Sequence, residues 1–146
     1  MYAAQCLERG IGVFLVLPMS PGGPTDVDQF DAMLDDNHKR TLGRLLNKLR
    51  KWRELPAEQE ALMERALTMR NWLAHRFFRD RAGQFMTSSG RAAMIEELGE
   101  AWRLFDSAHS YIRHVTAVWM KEHGITQDAL AEIERQMIAD AAENHD

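Results

Sequence analysis

Residues 70 to 75 of this chain read Arg70-Asn71-Trp72-Leu73-Ala74-His75. They lie in a segment whose apolar residues recur every three or four positions, a pattern that predicts a helix. Because a helix turns about 100° per residue, Asn71 and His75 fall about 40° apart on one face. Arg70 lies about 140° from His75, so only its long side chain reaches the vicinity of the imidazole. The stretch therefore places a guanidinium, an amide and an imidazole on one helix. We expect these residues to lie in the middle of that helix.

This spacing resembles the Arg-(four to six residues)-His motif of the HEPN superfamily, in which the residue after the arginine is typically Asn, Asp or His. HEPN proteins are small helical domains, and many are metal-independent ribonucleases that act as dimers. The resemblance implies that residues 1–146 form one HEPN-like domain, and that Arg70, Asn71 and His75 are catalytic. It also implies a homodimer that brings both copies of the motif into one cleft, with no cofactor.

The residue types suit cleavage of RNA, whose 2′-hydroxyl serves as the nucleophile. A histidine that titrates near neutrality can move the hydroxyl proton, and an arginine fork can bind the phosphate oxygens. Asn71 could orient His75 or hydrogen-bond the phosphate. The family resemblance implies a 2′,3′-cyclic phosphate product.

The spacing alone is not specific, because Arg103 and His109, with five residues between them, also fit it in this chain. Leu104 follows that arginine where the family has a polar residue, so we interpret the second match as chance. The alternative for Arg70 and His75 is an ordinary pair of exposed side chains on an amphipathic helix.

Charge is distributed unevenly along the chain. The segment 39–81 holds twelve basic and five acidic residues, a local formal charge of +7, whereas the remainder carries −11 and the whole chain −4. A basic block that contains the motif favours a polyanionic partner, RNA. The candidate RNA-binding residues are Arg44, Lys48, Lys51, Arg76 and Arg79. The alternative is a solvated helix face, which is what most charge runs are.

Composition is that of a globular protein, with 45% hydrophobic and 27% charged residues. The single cysteine, Cys6, excludes an intramolecular disulfide. No apolar run is long enough to span a membrane, and the apolar segment 11–17 lacks the flanks of a signal peptide. No Cys/His zinc pattern, HExxH motif or phosphate-binding glycine loop occurs, so no metal is predicted. We therefore expect a cytoplasmic protein without a membrane partner.

The apolar periodicity predicts an all-α, up-and-down bundle of four to six helices. We expect helices over residues 3–17, over a short segment capped by Thr25, and over residues 41–52, 56–79, 91–123 and 127–142. The proline- and glycine-rich segment 18–24 and the polar segment 82–90 are predicted loops. Gly124 is predicted to end the long helix.

The predicted buried faces follow from the same spacing. In the short helix the face consists of Phe30, Met33 and Leu34. In the motif helix it consists of Leu62, Ala66, Met69, Leu73 and Phe77. In the long helix it consists of Met94, Ile95, Leu98, Trp102, Phe105, His109, Ile112, Thr116 and Trp119. His109 is therefore expected to be a hydrogen-bonded core histidine, and His38 an exposed turn residue.

Three functions remain open from the sequence. The first is a HEPN-type endoribonuclease acting as a toxin or defence effector, with an antitoxin or regulatory protein as partner. The second is a HEPN-like dimer that binds RNA or a protein without cleavage, and the third is an unrelated helical interaction module. Some HEPN toxins carry a tyrosine two residues after the histidine, which a nucleotidyltransferase antitoxin modifies. Phe77 stands there in this chain, so that modification is impossible.

Overall fold

The computed structural model describes residues 2–19, residue 32 and residues 41–124 of the chain. The predicted short helix with Phe30, Met33 and Leu34, the turn at His38, and the predicted last helix over residues 127–142 lie outside the described residues. The helices are α1 (Tyr2–Met19), α2 (Leu42–Trp52), α3 (Ala57–His75), α4 (Phe77–Asp80), α5 (Ala82–Phe85) and α6 (Ser88–Glu122). The described residues contain no strand, which confirms the all-α fold class.

α6 is the longest element, with 35 residues and a length of about 52 Å. α1 and α3 both pack along it, and α2 packs against α1 and α3. The core between these helices is closed by fully buried large side chains, among them Leu7, Phe14, Leu46, Met63 and Phe105. Each such side chain contributes about 1.5–3 kcal/mol through burial. The helix over residues 41–52 is confirmed, with Thr41 as its N-cap.

α1 passes the point where the sequence predicted its end. The prediction stopped at residue 17 because Pro18 follows, but the helix continues through Met19. Proline lacks only its own backbone donor, so in a last turn it removes one hydrogen bond without ending the helix at once. The predicted start of the loop at Pro18 was therefore wrong by two residues.

The motif helix is shorter than predicted. α3 ends at His75, because Arg76 leaves the helical region with φ −131° and ψ −27°. No glycine or proline marks this break. Phe77 turns inward, is 2% exposed, and meets the ring of Trp72 edge-on at 5.0 Å between centroids. The burial of Phe77 and its aromatic contact compensate for the helical backbone hydrogen bonds that are interrupted at Arg76. On α3 itself the fully buried residues are Met63 and Ala66, with Leu62, Met69 and Leu73 only partly buried.

The predicted loop over residues 82–90 was largely wrong. α5 occupies its first half, and α6 begins at Ser88. Thr87 caps α6, since its hydroxyl accepts a hydrogen bond from the N–H of Gly90 at 3.0 Å. A Cβ on Gly90 would stand 2.1 Å from the carbonyl oxygen of Gln84. The small residues of this segment therefore form a tightly packed junction between α5 and α6, and Thr87 caps the second helix.

α6 buries a face different from the predicted one. Met94, Phe105 and Ile112 are buried as expected, but the other buried positions are Ala101, Ala108 and Val115. Ile95, Leu98 and Trp102 are instead 71%, 41% and 56% exposed. Large apolar residues occur both on the predicted face and on the face that is buried. The small Ala101 and Ala108 let α1 and α3 approach α6 closely, so α6 turns the face with these alanines toward the core. Gly124 follows the helix with φ +71°, as its predicted role requires.

Candidate functional site

The motif residues occupy the last two turns of α3, and His75 is the final residue of the helix. The prediction of a mid-helix motif was therefore wrong, because the break at Arg76 comes directly after it. Asn71 and His75 are both exposed. One helical turn separates them, so their side chains lie on the same face about 6 Å apart. His75 forms no hydrogen bond with the residues that the structure describes.

Arg70 is held by an acidic residue that no motif or spacing in the sequence identifies. Its Nε lies 3.1 Å from Oε1 of Glu8 on α1, and its side chain is only 20% exposed. The same oxygen of Glu8 accepts a hydrogen bond from the backbone N–H of Leu42 at 3.3 Å. Glu8 therefore ties together α1, the start of α2 and the end of α3. No spacing signal could have found it, because Glu8 and Arg70 are 62 positions apart.

The guanidinium also leans toward its neighbour in sequence. One terminal nitrogen of Arg70 lies 3.5 Å from Oδ1 of Asn71, at the outer limit of a hydrogen bond. A guanidinium carries five donors, and these contacts use two of them. The arrangement fixes the plane of the Arg70 fork beside Asn71 and leaves donors for an oxyanion.

The end of a helix carries a partial negative charge on its free carbonyl groups, so a phosphate near His75 requires cations close by. Arg76 and Arg79 follow the motif and are 62% and 72% exposed in their side chains. Each lies near Asp80, at 3.5 Å and 3.6 Å respectively, which reduces but does not cancel their charge. Such exposed, loosely paired arginines can exchange a carboxylate for a phosphate.

The other candidate RNA-binding residues lie along α2, which runs antiparallel to α3. Gly43 stands against Leu67, whereas Arg50 near the other end of α2 pairs with Glu60 and Glu64. Arg44 is therefore at the end of α2 closest to Arg70. Lys51, seven residues further on, is about 10 Å farther along the helix. Lys48 lies between them and is half-buried.

Part of the basic block is neutralised within the fold. Arg50 donates to Glu60 from Nε at 2.7 Å, and this hydrogen bond raises the pKa of Arg50. Arg81 makes a forked pair with Glu97 of α6, at 2.8 Å and 2.6 Å, which lowers the pKa of the Glu97 carboxyl. The pair formed by Arg50 lies within segment 39–81 and is already included in its charge of +7, whereas Glu97 lies outside that segment. The pair of Arg81 with Glu97 therefore lowers the free positive charge around the motif below that count.

An aromatic and ionic cluster supports the helix break beside His75, and sequence reasoning missed it. The guanidinium carbon of Arg81 stands 5.3 Å from the centre of the Trp72 ring. The Trp72 indole N–H donates to Asp80 at 3.3 Å, and Arg81 continues to Glu97. The cluster fixes α4 and α5 against α6, and thereby fixes the position of the motif at the end of α3.

His109 lies in a groove between α1 and α6. The groove has a volume of about 1090 Å³ and is lined in part by Cys6, Arg9, His109 and Arg113. His109 is half-buried against Gly10, where an added Cβ would stand 3.0 Å from the imidazole ring. Burial lowers the pKa of His109, the charge of Arg113 lowers it further, and Asp106 opposes both. The expected hydrogen bond to His109 is not found among the described residues.

Within residues 2–19 and 41–124, no three His, Cys, Asp or Glu side chains converge to form a metal site. In the same part of the chain, no helix combines the length and the apolar character needed to cross a bilayer. No protein-family model, curated protein or solved structure matches this chain. The resemblance to HEPN proteins rests on Arg70, Asn71 and His75.

Proposed function

We propose that this protein is a metal-independent endoribonuclease of the HEPN type, with its site at the C-terminal end of α3. The observation that carries the proposal is the exposure of Asn71 and His75 one turn apart, beside the Arg70 guanidinium that Glu8 holds in place. A fixed cation can stabilise charge on the phosphate, and an exposed imidazole can accept the proton of the 2′-hydroxyl, which are two of the contributions that cleavage of RNA through its own 2′-hydroxyl needs.

In the proposed reaction, His75 removes the proton from the 2′-hydroxyl as that oxygen attacks the adjacent phosphorus. The bond from phosphorus to the 5′-oxygen breaks, and the leaving oxygen takes up a proton. Arg70 stabilises the charge on the non-bridging oxygens, and Asn71 hydrogen-bonds the phosphate or orients His75. The products are a 2′,3′-cyclic phosphate and a 5′-hydroxyl.

One His75 supplies one proton acceptor, whereas the reaction also needs a proton donor on the other side of the phosphorus. A homodimer that places the motifs of two chains in one cleft would provide both. Arg44, Arg76 and Arg79 would bind the flanking phosphates, with Lys48 and Lys51 further along α2. RNA is thus the proposed substrate and a second copy of the chain the proposed partner.

The proposed cellular role is that of a toxin or defence effector in the cytoplasm, held in check by an antitoxin or regulatory protein. Phe77 is 2% exposed and packs on Trp72, so control by nucleotide transfer to that position is excluded by its chemistry and by its burial. Growth arrest on induction in a bacterial host, relieved by His75→Ala, supports this role. Equal growth of both strains argues against it.

The test of the activity is incubation of total cellular RNA with purified protein in EDTA. Wild type is expected to cut, and His75→Ala and Asn71→Ala are expected to lose cleavage, because each removes a group of the proposed site. Both side chains are exposed, so their removal should leave the fold intact. His114→Ala is the matched control, since His114 is an exposed histidine on α6. Equal activity in His75→Ala and His114→Ala contradicts the proposal.

A second candidate function is RNA binding or protein binding without cleavage. The ion pair between Glu8 and Arg70 favours it, because a guanidinium already paired with a carboxylate is a weaker ligand for a phosphate. Retention of RNA by a wild type that does not cut it supports this candidate. A protein that neither cuts nor retains RNA is the unrelated helical module.

A further inference from the structure

One face of α6 carries large apolar side chains that no described element covers. Ile95, Leu98 and Trp102 are 71%, 41% and 56% exposed. At about 100° per residue, they fall within an arc of about 60°. Arg91, Gly99 and Asp106 share this face. We name the set of six residues, Arg91, Ile95, Leu98, Gly99, Trp102 and Asp106, the α6 stripe.

The exposed apolar surface continues past the beginning of α6. A guanidinium nitrogen of Arg91 donates to the carbonyl of Phe85 at 3.0 Å, which places the end of α5 at the start of the stripe. Phe85 and the adjacent Met86 are 52% and 79% exposed. Scattered exposed apolar residues are ordinary, but a continuous row rimmed by charge marks a surface that another protein covers.

The order of residue types along the stripe is symmetric about a point between Leu98 and Gly99. Ile95 lies three positions before Leu98, and Trp102 three positions after Gly99. Arg91 lies seven positions before Leu98, and Asp106 seven positions after Gly99. If a second copy of the helix lies antiparallel and is centred at the same point, Ile95 of one copy is at the level of Trp102 of the other. Arg91 of one copy is then at the level of Asp106 of the other.

We propose that two copies of this chain associate through antiparallel pairing of their α6 stripes about a two-fold axis between Leu98 and Gly99. Leu98 then lies beside Leu98 and Gly99 of the second copy at the axis, and Ile95 lies opposite Trp102 of the second copy. Arg91 pairs with Asp106 of the second copy at both ends. A two-fold interface uses the same patch on both chains, so the patch must be complementary to itself, as the α6 stripe is.

The charges at the ends of the stripe support the second copy as its occupant. Arg91 and Asp106 are exposed, and neither forms an ion pair with a residue in the described part of the chain. They have opposite signs and equal distances from the centre. In the antiparallel arrangement each is opposite its counter-charge, whereas a parallel arrangement would place like charges together.

Gly99 supports the same arrangement. A Cβ added to it would meet only the end of the Arg103 side chain, at 3.7 Å, which is an ordinary contact. The fold of the single chain therefore has no need of a glycine there, although glycine within a helix costs about 1 kcal/mol relative to alanine. At the centre of a helix pair, a glycine lets the facing backbone approach and makes room for Leu98 of the other copy.

The stripe contains none of the residues of the proposed active site, so this inference does not rest on the proposed function. From Arg91 to Asp106 the helix is about 22 Å long. An interface built on one helix pair of this length is at the lower end of the range, below about 1,200 Å² in total. We therefore expect a dimer that dissociates on dilution rather than a permanent one.

Sedimentation velocity over a range of protein concentrations tests the proposal. Wild type is expected to show a monomer–dimer equilibrium, and Arg91→Asp and Asp106→Arg each to weaken it by about tenfold or more through repulsion. The double variant that carries both changes restores the pairs and should return to the affinity of the wild type. A wild type that is monomeric throughout, or a double variant as weak as the single ones, overturns the proposal.

Two controls separate this interface from general charge effects. Arg103→Asp and Glu100→Arg reverse exposed charges of α6 that lie outside the stripe, and they should leave the equilibrium unchanged. In a Cys6→Ser background, Leu98→Cys should form a disulfide between copies on mild oxidation, because it faces the two-fold axis. Equally rapid cross-linking by Glu100→Cys would overturn the proposed register.

Discussion

Glu8 and Arg70 form an ion pair between α1 and α3, with Oε1 of Glu8 3.1 Å from Nε of Arg70. The pair connects the motif helix to the first helix, and the backbone N–H of Leu42 shares the same oxygen. Arg70 therefore has two roles in the proposed account. It joins α3 to α1 through Glu8, and it presents its remaining donors beside Asn71.

Replacing Glu8 with glutamine tests the first role. Glu8→Gln keeps the shape and one acceptor oxygen but removes the charge, so we expect the free energy of unfolding to fall by about 1 kcal/mol, because the hydrogen bond from Arg70 loses its charged acceptor. Cleavage of RNA should also slow, since the Arg70 fork loses its fixed orientation. Urea unfolding and a cleavage time course measure the two effects. Glu100→Gln, an exposed glutamate on α6, should change neither, and a Glu8→Gln variant as stable as wild type contradicts the structural role.

Two glycines of the α5–α6 junction should respond in opposite directions to the same substitution. A Cβ on Gly90 would collide with the Gln84 carbonyl at 2.1 Å, whereas a Cβ on Gly83 meets nothing within 4 Å. We expect Gly90→Ala to lower the free energy of unfolding by about 1–3 kcal/mol. Gly83→Ala should raise it by about 0.4–1 kcal/mol. Thermal and urea unfolding compare the two, and equal effects would show that the junction is not packed as described.

His109 should make the stability of the protein depend on pH. Burial, aided by Arg113 and opposed by Asp106, lowers the pKa of His109 from its ordinary value of 6.5. The unfolded chain therefore binds the proton more readily than the folded chain. The stabilising contribution is complete above the unfolded-state pKa and is lost as the pH falls from there through the lower pKa of the folded state.

The measurement is the free energy of unfolding at about pH 7.5 and about pH 5.5, on either side of the ordinary pKa of histidine. Wild type should lose more stability on acidification than His109→Gln. His114→Gln, which alters an exposed histidine, should lose as much as wild type. If His109→Gln loses the same stability as wild type, burial of the imidazole has no such effect.

RNA affinity should depend on the arginines that follow the motif more than on the far end of α2. In a His75→Ala background, which prevents cleavage, Arg76→Ala and Arg79→Ala should each weaken binding of single-stranded RNA. Each should also reduce the slope of log affinity against log salt by about 0.7. Lys51→Ala is the comparison, because Lys51 lies toward the opposite end of α2. A larger loss from Lys51→Ala would place the RNA along α2 instead.

The sequence predicted the elements that depend on local signals. The helix over residues 41–52 has its apolar residues at helical spacing and Thr41 before it, and the long helix ends where Gly124 follows. The break after His75 was not predictable, because it depends on Phe77 reaching the Trp72 ring rather than on a glycine or proline.

Tertiary contacts decided the rest. The buried face of α6 was mispredicted since Ala101 and Ala108 carry little hydrophobic signal, yet they admit the neighbouring helices. The family resemblance selected the three motif residues as site candidates, and their role stays a prediction, whereas nothing in the sequence selected Glu8, because only folding brings it to Arg70. The charge count likewise did not reveal that Arg50 and Arg81 are paired with glutamates.

Cleavage of a short, defined RNA in EDTA, compared with the same RNA carrying a single 2′-deoxy nucleotide at the cleaved position, tests whether the protein uses the 2′-hydroxyl as nucleophile. We expect wild type to cut the first RNA, to leave a 2′,3′-cyclic phosphate and to spare the deoxy position, and we expect His75→Ala to cut neither. Cleavage at the deoxy position, or cyclic phosphate ends formed equally by His75→Ala, would contradict the proposed reaction.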